Sequence, residues 1–273
     1  SRNCFYCGIN RHNRRIKRYR IPPEEIVDTA KDAAKAGCDT IVLQSGEDPY
    51  YTRDMMADIV REIKKTGTAV TLSLGERRES EYRAWREAGA DRYLLKFETS
   101  DPDLYAALHP GGSLFARLQA LKRIEDSGYE VGSGFMVGLP GQTLAMVADD
   151  ILMLRALGVD MAGIGPFIPH PDTPLSSSVA GGVDLTLKVL AITRLILPRV
   201  NLPATTALSS LDQDGRRLGL TWGANVVMPN FTPPSYRRLY EIYPHKAEVT
   251  ASPEELCLQV KELVQSLGRR LPG

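Results

Sequence analysis

Strand-like and helix-like segments alternate along nearly the whole chain, and this constrains the fold more than any other feature. Short apolar runs rich in β-branched residues fall at 39–44 (DTIVLQ), 69–74 (AVTLSL), 91–97 (DRYLLKF), 130–137 (EVGSGFMV), 159–164 (VDMAGI), 201–206 (NLPATT) and 223–228 (GANVVM). Helical patterns lie between them at about 22–36, 52–66, 78–88, 113–127, 142–157, 185–197 and 212–219, and 235–268 is helical in pieces. Gly37, Gly67, Gly89, Gly128 and Gly158 each stand where a helix must stop before the next strand. Repeated βα units with short links imply a parallel sheet, because each crossover helix returns the chain to the same end.

The spacing of roughly 30 residues per unit suits an α/β fold, either a doubly wound sheet or a (β/α)8 TIM-type barrel. Seven strand runs are visible, whereas a closed barrel has eight. On the barrel reading, the first strand is expected upstream of Ser1, leading directly into a cysteine loop. No linker, low-complexity stretch or composition shift divides the chain. Residues 1–273 therefore read as one N-terminally truncated barrel domain, with about 235–268 as a C-terminal helical closure.

Composition narrows the function less. Hydrophobic residues make up 43% of the chain, enough for a packed core and too much for a disordered chain. The 34 Lys+Arg against 33 Asp+Glu leave a net charge of +1, so no global field draws the chain to nucleic acid or a membrane surface. No apolar run approaches the roughly 20 residues that cross a bilayer. The charge is unevenly spread, however. Residues 1–23 hold Arg2, Arg11, Arg14, Arg15, Lys17, Arg18 and Arg20 and no acid. That stretch reads either as a docking patch for an acidic partner or as a solvated loop. A monomer is the default expectation for such a barrel.

Four cysteines stand at positions 4, 7, 38 and 257. With no secretory signal, they predict a reducing, cytoplasmic setting. Cys38 and Cys257 read as small buried apolar residues. Cys4 and Cys7 form a CxxC near the chain start. On its own this fits half a zinc site, a redox pair or part of an iron–sulfur loop. His12 is the only nearby further ligand, so a complete local zinc site is not in sight.

In a barrel, function gathers at the C-terminal ends of the strands. Those ends carry Gln44-Ser45-Gly46-Glu47-Asp48, Thr71-Leu72-Ser73-Leu74-Gly75-Glu76, Lys96-Phe97-Glu98-Thr99, Gly134-Phe135-Met136-Val137-Gly138, Gly163-Ile164-Gly165, Thr205-Thr206 and Met228-Pro229-Asn230. Carboxylates, hydroxyls and glycines recur at one topological edge.

Cys4-Phe5-Tyr6-Cys7 resembles the last part of the CxxxCxxC loop of radical S-adenosylmethionine (SAM) enzymes, and Ser45-Gly46-Glu47 resembles their GGE motif. The runs LQSGEDPYY, VTLSLGE, GADRYLL, MVGLPGQT, GIGPFIPHPDTPL, PATTA and GANVVMPN resemble the FeFe-hydrogenase maturases of the HydE family within that superfamily. The resemblance covers about 1–245. It implies a radical SAM enzyme acting in assembly of the hydrogenase active-site cluster. It further implies that Cys4, Cys7 and a cysteine expected just before Ser1 ligate a 4Fe-4S cluster, at which SAM is reductively cleaved to a 5′-deoxyadenosyl radical.

The same resemblance assigns SAM binding to Tyr6, Gly46, Glu47, Ser73, Glu98, Arg117, Met136 and Gly138. It assigns substrate contacts to Gln44, Thr71, Thr205, Thr206, Met228 and Tyr240, with no catalytic side chain beyond cluster and SAM. Its implied partners are a small iron-containing or amino-acid-like substrate, an electron donor such as flavodoxin or ferredoxin, and the other maturases. Two departures stand out. Only Cys257 is available near the C-terminus, so an accessory cluster cannot be built from these residues. Phe97 occupies a position where some relatives have histidine. A methylornithine-synthase-type enzyme with an organic substrate, and a noncatalytic cluster carrier, are the alternative readings.

Overall fold

A computed structural model describes residues 2–237, 239–240, 242–244 and 251–271. Its centre is a parallel sheet of five strands in sequential order. These are β1 (Thr40–Gln44), β2 (Ala69–Ser73), β3 (Arg92–Leu94), β4 (Glu130–Val137) and β5 (Met161–Pro166). Two isolated parallel bridges, Met161↔Asn201 and Pro203↔Val226, carry the same order onward. The expected runs at 201–206 and 223–228 thus take their places in the sheet but form no full ladder. Pro203 has no N–H to give, and Leu202 O accepts from both Asn225 N (2.8 Å) and Val226 N (3.1 Å). The Asn225 side chain accepts from Leu202 N at 2.7 Å, in place of a backbone partner. The result is an open, curled (β/α) half-barrel. The first strand expected before residue 1 lies outside the described residues.

Helices cover the outer face. In chain order they are α1 (Pro23–Lys35), α2 (Arg53–Lys64), α3 (Glu79–Glu87), α4 (Pro102–Leu108), α5 (Leu114–Asp126), α6 (Leu144–Ala156), α7 (Val183–Ile196), α8 (Thr206–Leu211), α9 (Gly215–Thr221), α10 (Pro234–Arg237) and α11 (Pro253–Ser266). α4 and α8 were not expected. Asp101 caps α4 by accepting from Leu104 N at 2.7 Å, and Pro102 fills its first turn, where a missing N–H costs nothing.

Alternation along each strand separates two faces. One face packs on the helices and is apolar: Val70, Leu72, Tyr93, Val131, Phe135, Ala162 and Ile164 are all buried. Trp85, Tyr82 and Tyr93 knit α3 to this layer, with the two tyrosines edge-to-face at 5.0 Å and all three fully buried. The Trp85 indole N–H donates to Arg53 O at 2.8 Å, which ties α3 to the start of α2.

The other face lines the barrel interior and is polar or bare. Register places Thr71 beside Arg92, Arg92 beside Glu130, Leu94 beside Gly132, Gly134 beside Gly163 and Met136 beside Gly165. At its floor, Arg92 pairs with Glu130 (2.5 Å) and donates to Thr40 Oγ1 at 3.2 Å. Higher up, the wall is glycine. A Cβ at Gly134 would fall 2.1 Å from Gly163 O, and Gly134 has φ +156, so no other residue fits there.

α11 docks at the opposite end from the loops that follow the strands. Its own Leu256 and Val264 are buried, and Arg269 just beyond it donates to Leu220 O and Ala224 O at 3.1 and 3.0 Å. Residues 245–250, within the expected C-terminal helical closure, lie outside the described residues. Among the described residues no helix is long and apolar enough to cross a membrane.

Candidate functional site

The loops after β1 to β4 meet the cysteine loop at one end of the barrel. Cys4–Cys7 is a turn: Cys7 N donates to Cys4 O at 3.2 Å. The loop is pinned on both sides. Phe5 N donates to Leu108 O at 3.0 Å at the end of α4, and the Asn10 amide donates to Cys7 O at 2.8 Å. His109 fixes Tyr6. Its Nδ1 lies 2.8 Å from Tyr105 O and must donate, because a carbonyl only accepts. Its Nε2 is then the acceptor for the Tyr6 hydroxyl at 2.9 Å. Burial lowers the His109 pKa, which keeps the ring in this neutral form.

Beside the turn lies a chain of charges. Arg2 donates from Nε to Glu47 Oε2 at 2.7 Å and also pairs with Glu76. Glu47 Oε1 accepts from Glu76 N at 3.1 Å. Glu76 Oε1 pairs with Arg117 at 2.7 Å, and Arg117 also donates to Lys96 O at 2.7 Å. The loops after β1, β2 and β3 are thereby joined to α5 through alternating acids and arginines. Burial disfavours the Arg117 charge, but Tyr105, Glu76, Tyr6 and Glu98 around it more than offset this, and its pKa is raised. Gly75 makes room for the arrangement: a Cβ there would fall 2.1 Å from Glu47 Cγ, and its φ is +78.

Glu98 is held under strain. Among the described residues it is the one non-glycine with positive φ (69°), a conformation that costs about 1–3 kcal/mol for such a residue. The sheet imposes it, since Glu98 N donates to Gly134 O (3.0 Å) and Glu98 O accepts from Met136 N (3.1 Å). Its Oε2 is buried and lies 2.9 Å from the Lys96 ammonium, close enough for an ion pair but out of line for a hydrogen bond. The next turn is tied in from behind. Gln142 Oε1 accepts from Gly138 N (2.7 Å) and Leu139 N (3.2 Å), while its amide donates to Met136 O (3.0 Å) and Asp150 Oδ2 (3.1 Å). Asp150 Oδ1 in turn holds Ser100 through its hydroxyl (2.7 Å) and backbone N–H.

The residues expected to act therefore fall into groups. Cys4, Cys7 and Tyr6 share one turn. Glu47, Arg117 and Glu98 join through the charge chain, with Glu76, Arg2 and Lys96 as members that sequence reasoning missed. Ser73 ends β2 as register partner of Gln44, which is exposed at the end of β1. Gly46 adjoins the cysteine loop, with its Cβ position 3.5 Å from Ile9 Cδ1. Met136 and Gly138 lie on the turn held by Gln142. Thr71 is buried in mid-β2. Thr205 precedes α8, with a buried Oγ1 that has no hydrogen-bond partner and lies 2.8 Å from where a Gly165 Cβ would sit. Thr206 bonds to Tyr243. Met228 is half-buried beyond the Pro203↔Val226 bridge. Tyr240 comes near Cys7, and burial first, then that thiol's charge, raises its pKa far above the ordinary value. Arg2 carried one sequence signal, its place two residues before Cys4. Lys96 carried another, since it falls between Leu94 and Glu98 in the alternation of the inner face.

A cleft of about 370 Å³ opens beside the charge chain, lined by Arg2, Glu76, Arg77, Phe115, Gln119 and Arg123 among others. Thr71, Thr205, Thr206 and Met228 are not among its lining residues.

The sequence model of the radical SAM superfamily matches residues 1–154, more than half the chain. The chain belongs to the radical SAM superfamily. The HydE subunit of the [FeFe] hydrogenase maturase from Thermotoga maritima is 53% identical over 272 residues, covering 100% of this chain and 78% of that one. A 3-methylornithine synthase from Methanosarcina acetivorans is 32% identical over 227 residues, 82% of this chain and 64% of its own length. Among solved structures, methylornithine synthase superposes with a TM-score of 0.86 at 27% identity over 100% of this chain and 80% of that one.

Radical SAM enzymes of the HydE kind use a 4Fe-4S cluster and SAM. The residues here fit both groups. Cys4 and Cys7 are soft donors on one short turn, the type that holds iron–sulfur clusters. Burial, partly countered by Tyr6, pushes the free Cys4 thiol above its ordinary pKa, and iron is the partner that would stabilise its thiolate. No three His, Cys, Asp or Glu residues among the described ones form a ready metal site. For SAM, the acidic groups and the buried guanidinium of the charge chain offer partners for an ammonium and a carboxylate.

Proposed function

We propose that this radical SAM enzyme acts in assembly of the active-site cluster of FeFe-hydrogenase. The observation that carries the reading is the 53% identity to the HydE maturase subunit across the full chain. It is supported by a charge chain that ends beside the cysteine turn. When bound, the cluster supplies one electron that cleaves SAM to methionine and a 5′-deoxyadenosyl radical. Cys4 and Cys7 would be two of the thiolates that hold that cluster. Glu47 accepts the SAM ammonium, Arg117 faces its carboxylate, and Ser73 and Glu98 reach its polar groups. Tyr6, oriented by neutral His109, and Gly46, Met136 and Gly138 shape the nucleoside site. Gln44, Thr71, Thr205, Thr206, Met228 and Tyr240 line the substrate region, where the orphaned Thr205 hydroxyl awaits a polar ligand group. The reaction takes place in the cytoplasm, on a small iron-containing or amino-acid-like molecule.

The test is anaerobic reconstitution with iron and sulfide, followed by complementation of hydrogenase activity with the other maturases. Deoxyadenosine formation together with restored hydrogenase is the expected result. No deoxyadenosine from fully loaded protein overturns the enzyme reading, and Cys7→Ala should abolish the cluster absorbance. A second reading, an organic amino-acid substrate, is favoured by the 0.86 TM-score to methylornithine synthase. Cleavage of SAM without hydrogenase complementation would select it.

A further inference from the structure

Two of the four cysteines have no place in cluster or SAM binding, yet they meet. Cys38 stands at the entry to β1 and Cys257 on α11. They are 219 residues apart in the chain, and their Sγ atoms lie 3.8 Å from each other. Both are partly exposed, so a small molecule reaches them from solvent. Among the described residues no further His, Cys, Asp or Glu joins them to make a metal site.

Each thiol is carried by backbone that is fixed independently of the other. Cys38 N donates to Ala33 O at 3.1 Å and Gly37 N to Ala34 O at 3.0 Å. These are the paired bonds of a Schellman motif closing α1, and Gly37 supplies the left-handed φ of +97 that it needs. The next carbonyl, Asp39 O, accepts from Ala69 N at 2.9 Å, which ties Cys38 to the start of the sheet. Cys257 is placed by the capping box of α11: Ser252 Oγ accepts from Glu255 N at 3.2 Å, and Glu255 Oε2 accepts from Ser252 N at 2.7 Å. Its neighbour Leu256 is buried. The two sulfurs are thus held in van der Waals contact. A disulfide has them about 2 Å apart, so each sulfur moves by less than about 1 Å to join the other.

We propose that Cys38 and Cys257 are a redox modification site, at which a glutathione-class disulfide installs a reversible bridge that locks α11 to the entry of β1. The proposal does not rest on the radical SAM reading. The Cys257 thiolate attacks one sulfur of the oxidant, a mixed disulfide forms and one glutathione leaves. The Cys38 sulfur then attacks the Cys257 sulfur and expels the second glutathione. One sulfur–sulfur bond forms in the protein and one breaks in the oxidant. Two electrons pass from the protein thiols to glutathione disulfide, and the two thiol protons end on the released glutathiones. The order of attack follows from the surroundings. Burial first, then the charge of Cys257, pushes the Cys38 thiol up to about 12, which makes it the poorer first nucleophile. The second of these causes vanishes once Cys257 is capped. A bridge across so long a loop restricts the unfolded chain and stabilises the fold. It lies at the opposite end of the barrel from Cys4 and Cys7 and leaves their turn untouched. In a reducing compartment such a bridge opens and closes with the thiol pool and is no permanent staple.

The experiment incubates the reconstituted wild-type protein, Cys38→Ser and Cys257→Ser anaerobically with reduced and oxidised glutathione at a series of ratios. Free thiols are alkylated, linked peptides are mapped by mass spectrometry, and thermal unfolding is recorded before and after dithiothreitol. The expected result for the wild type is a Cys38–Cys257 linked peptide that dithiothreitol removes. Its melting temperature should rise by at least about 5 °C when bridged. Neither serine variant should show the linked peptide or the rise, and Cys38→Ser should stall as a glutathione adduct on Cys257. Adducts on the wild type that never progress to the linked peptide overturn the proposal. So does a linked peptide that leaves the melting temperature unchanged, or a Cys4–Cys7 bridge in its place. If a serine variant melts too low for comparison, the linked peptide and the temperature shift of the wild type decide by themselves.

Discussion

Glu98 shows what a single residue reveals when its backbone is out of place. Its left-handed conformation is imposed by bonds to Gly134 and Met136, and strain of this kind persists only where surrounding structure over-determines it. Glycine would adopt the same φ freely. Glu98→Gly is therefore expected to leave thermal stability unchanged or raise it by up to about 1 kcal/mol, while weakening SAM binding at least about tenfold. Calorimetric unfolding and SAM titration of the reconstituted protein check both halves. A loss of stability with SAM affinity intact would refute the role. The sequence placed Glu98 at a strand end and its resemblance marked it, but nothing in the sequence announced a positive φ. That follows from the sheet register of β4, a long-range contact. Arg2 and Glu76 escaped for the same reason, because each matters through a partner far along the chain.

Elements were legible where their own residues decided them. β1, β2, β4 and the amphipathic helices formed within a residue or two of expectation, since alternation and glycine stops act locally. α4 and α8 escaped because short helices leave little periodicity; only the Asp101-Pro102 cap marked the first of them. Two predictions belong to this scale. Trp85 is fully buried between α2, α3 and β3 and gives its N–H to Arg53 O. Trp85→Ala should cost about 3–5 kcal/mol in a denaturant melt. A cost below about 1 kcal/mol would mean the aromatic layer is not what fastens α3.

Asp150 of α6 carries the other. Burial, only partly countered by the hydrogen bonds of Ser100 and Gln142, pushes its pKa from 3.8 up to about 6. Between those two values the folded protein holds a proton that the unfolded chain has lost, so stability declines as pH rises through the window. Its contribution is least favourable above pH about 6 and recovers on acidification towards pH 5. Stability measured from pH 5 to 7 should therefore slope downward more in the wild type than in Asp150→Asn. Parallel curves would refute the assignment. The Asn variant should also be less stable at every pH, because both oxygens of Asp150 accept hydrogen bonds and an amide nitrogen would face a donor.

For the whole molecule, α11 is the informative piece. It arrives from the far end of the sequence and packs Cys257 Sγ within 3.8 Å of Cys38 Sγ at the entry to β1, with Leu263 and Leu267 against the main core. A chain folded as one barrel domain should unfold in a single cooperative transition that shifts to lower temperature when residues 251–273 are removed. Two separated transitions in the intact chain would divide it into independent units. Parallel βα order was legible here, because it repeats along the sequence; the strand count was not, since five of the seven expected runs form strands and 201–206 and 223–228 meet their neighbours only through isolated bridges. The open curl of the sheet was not, because it depends on how Asn201, Pro203 and Val226 meet.

The bare wall of the interior has one more consequence. Gly132, Gly134, Gly163 and Gly165 face the hollow with backbone alone, so no rotamer there can swing aside or fold inward. A guest molecule meets a die of fixed bore. The bore could be narrowed only in whole-methyl steps, and at Gly134 and Gly165 even the first step collides, with Gly163 O at 2.1 Å and Thr205 Oγ1 at 2.8 Å. Along this stretch of the wall the main chain, and not a rotamer, sets the surface.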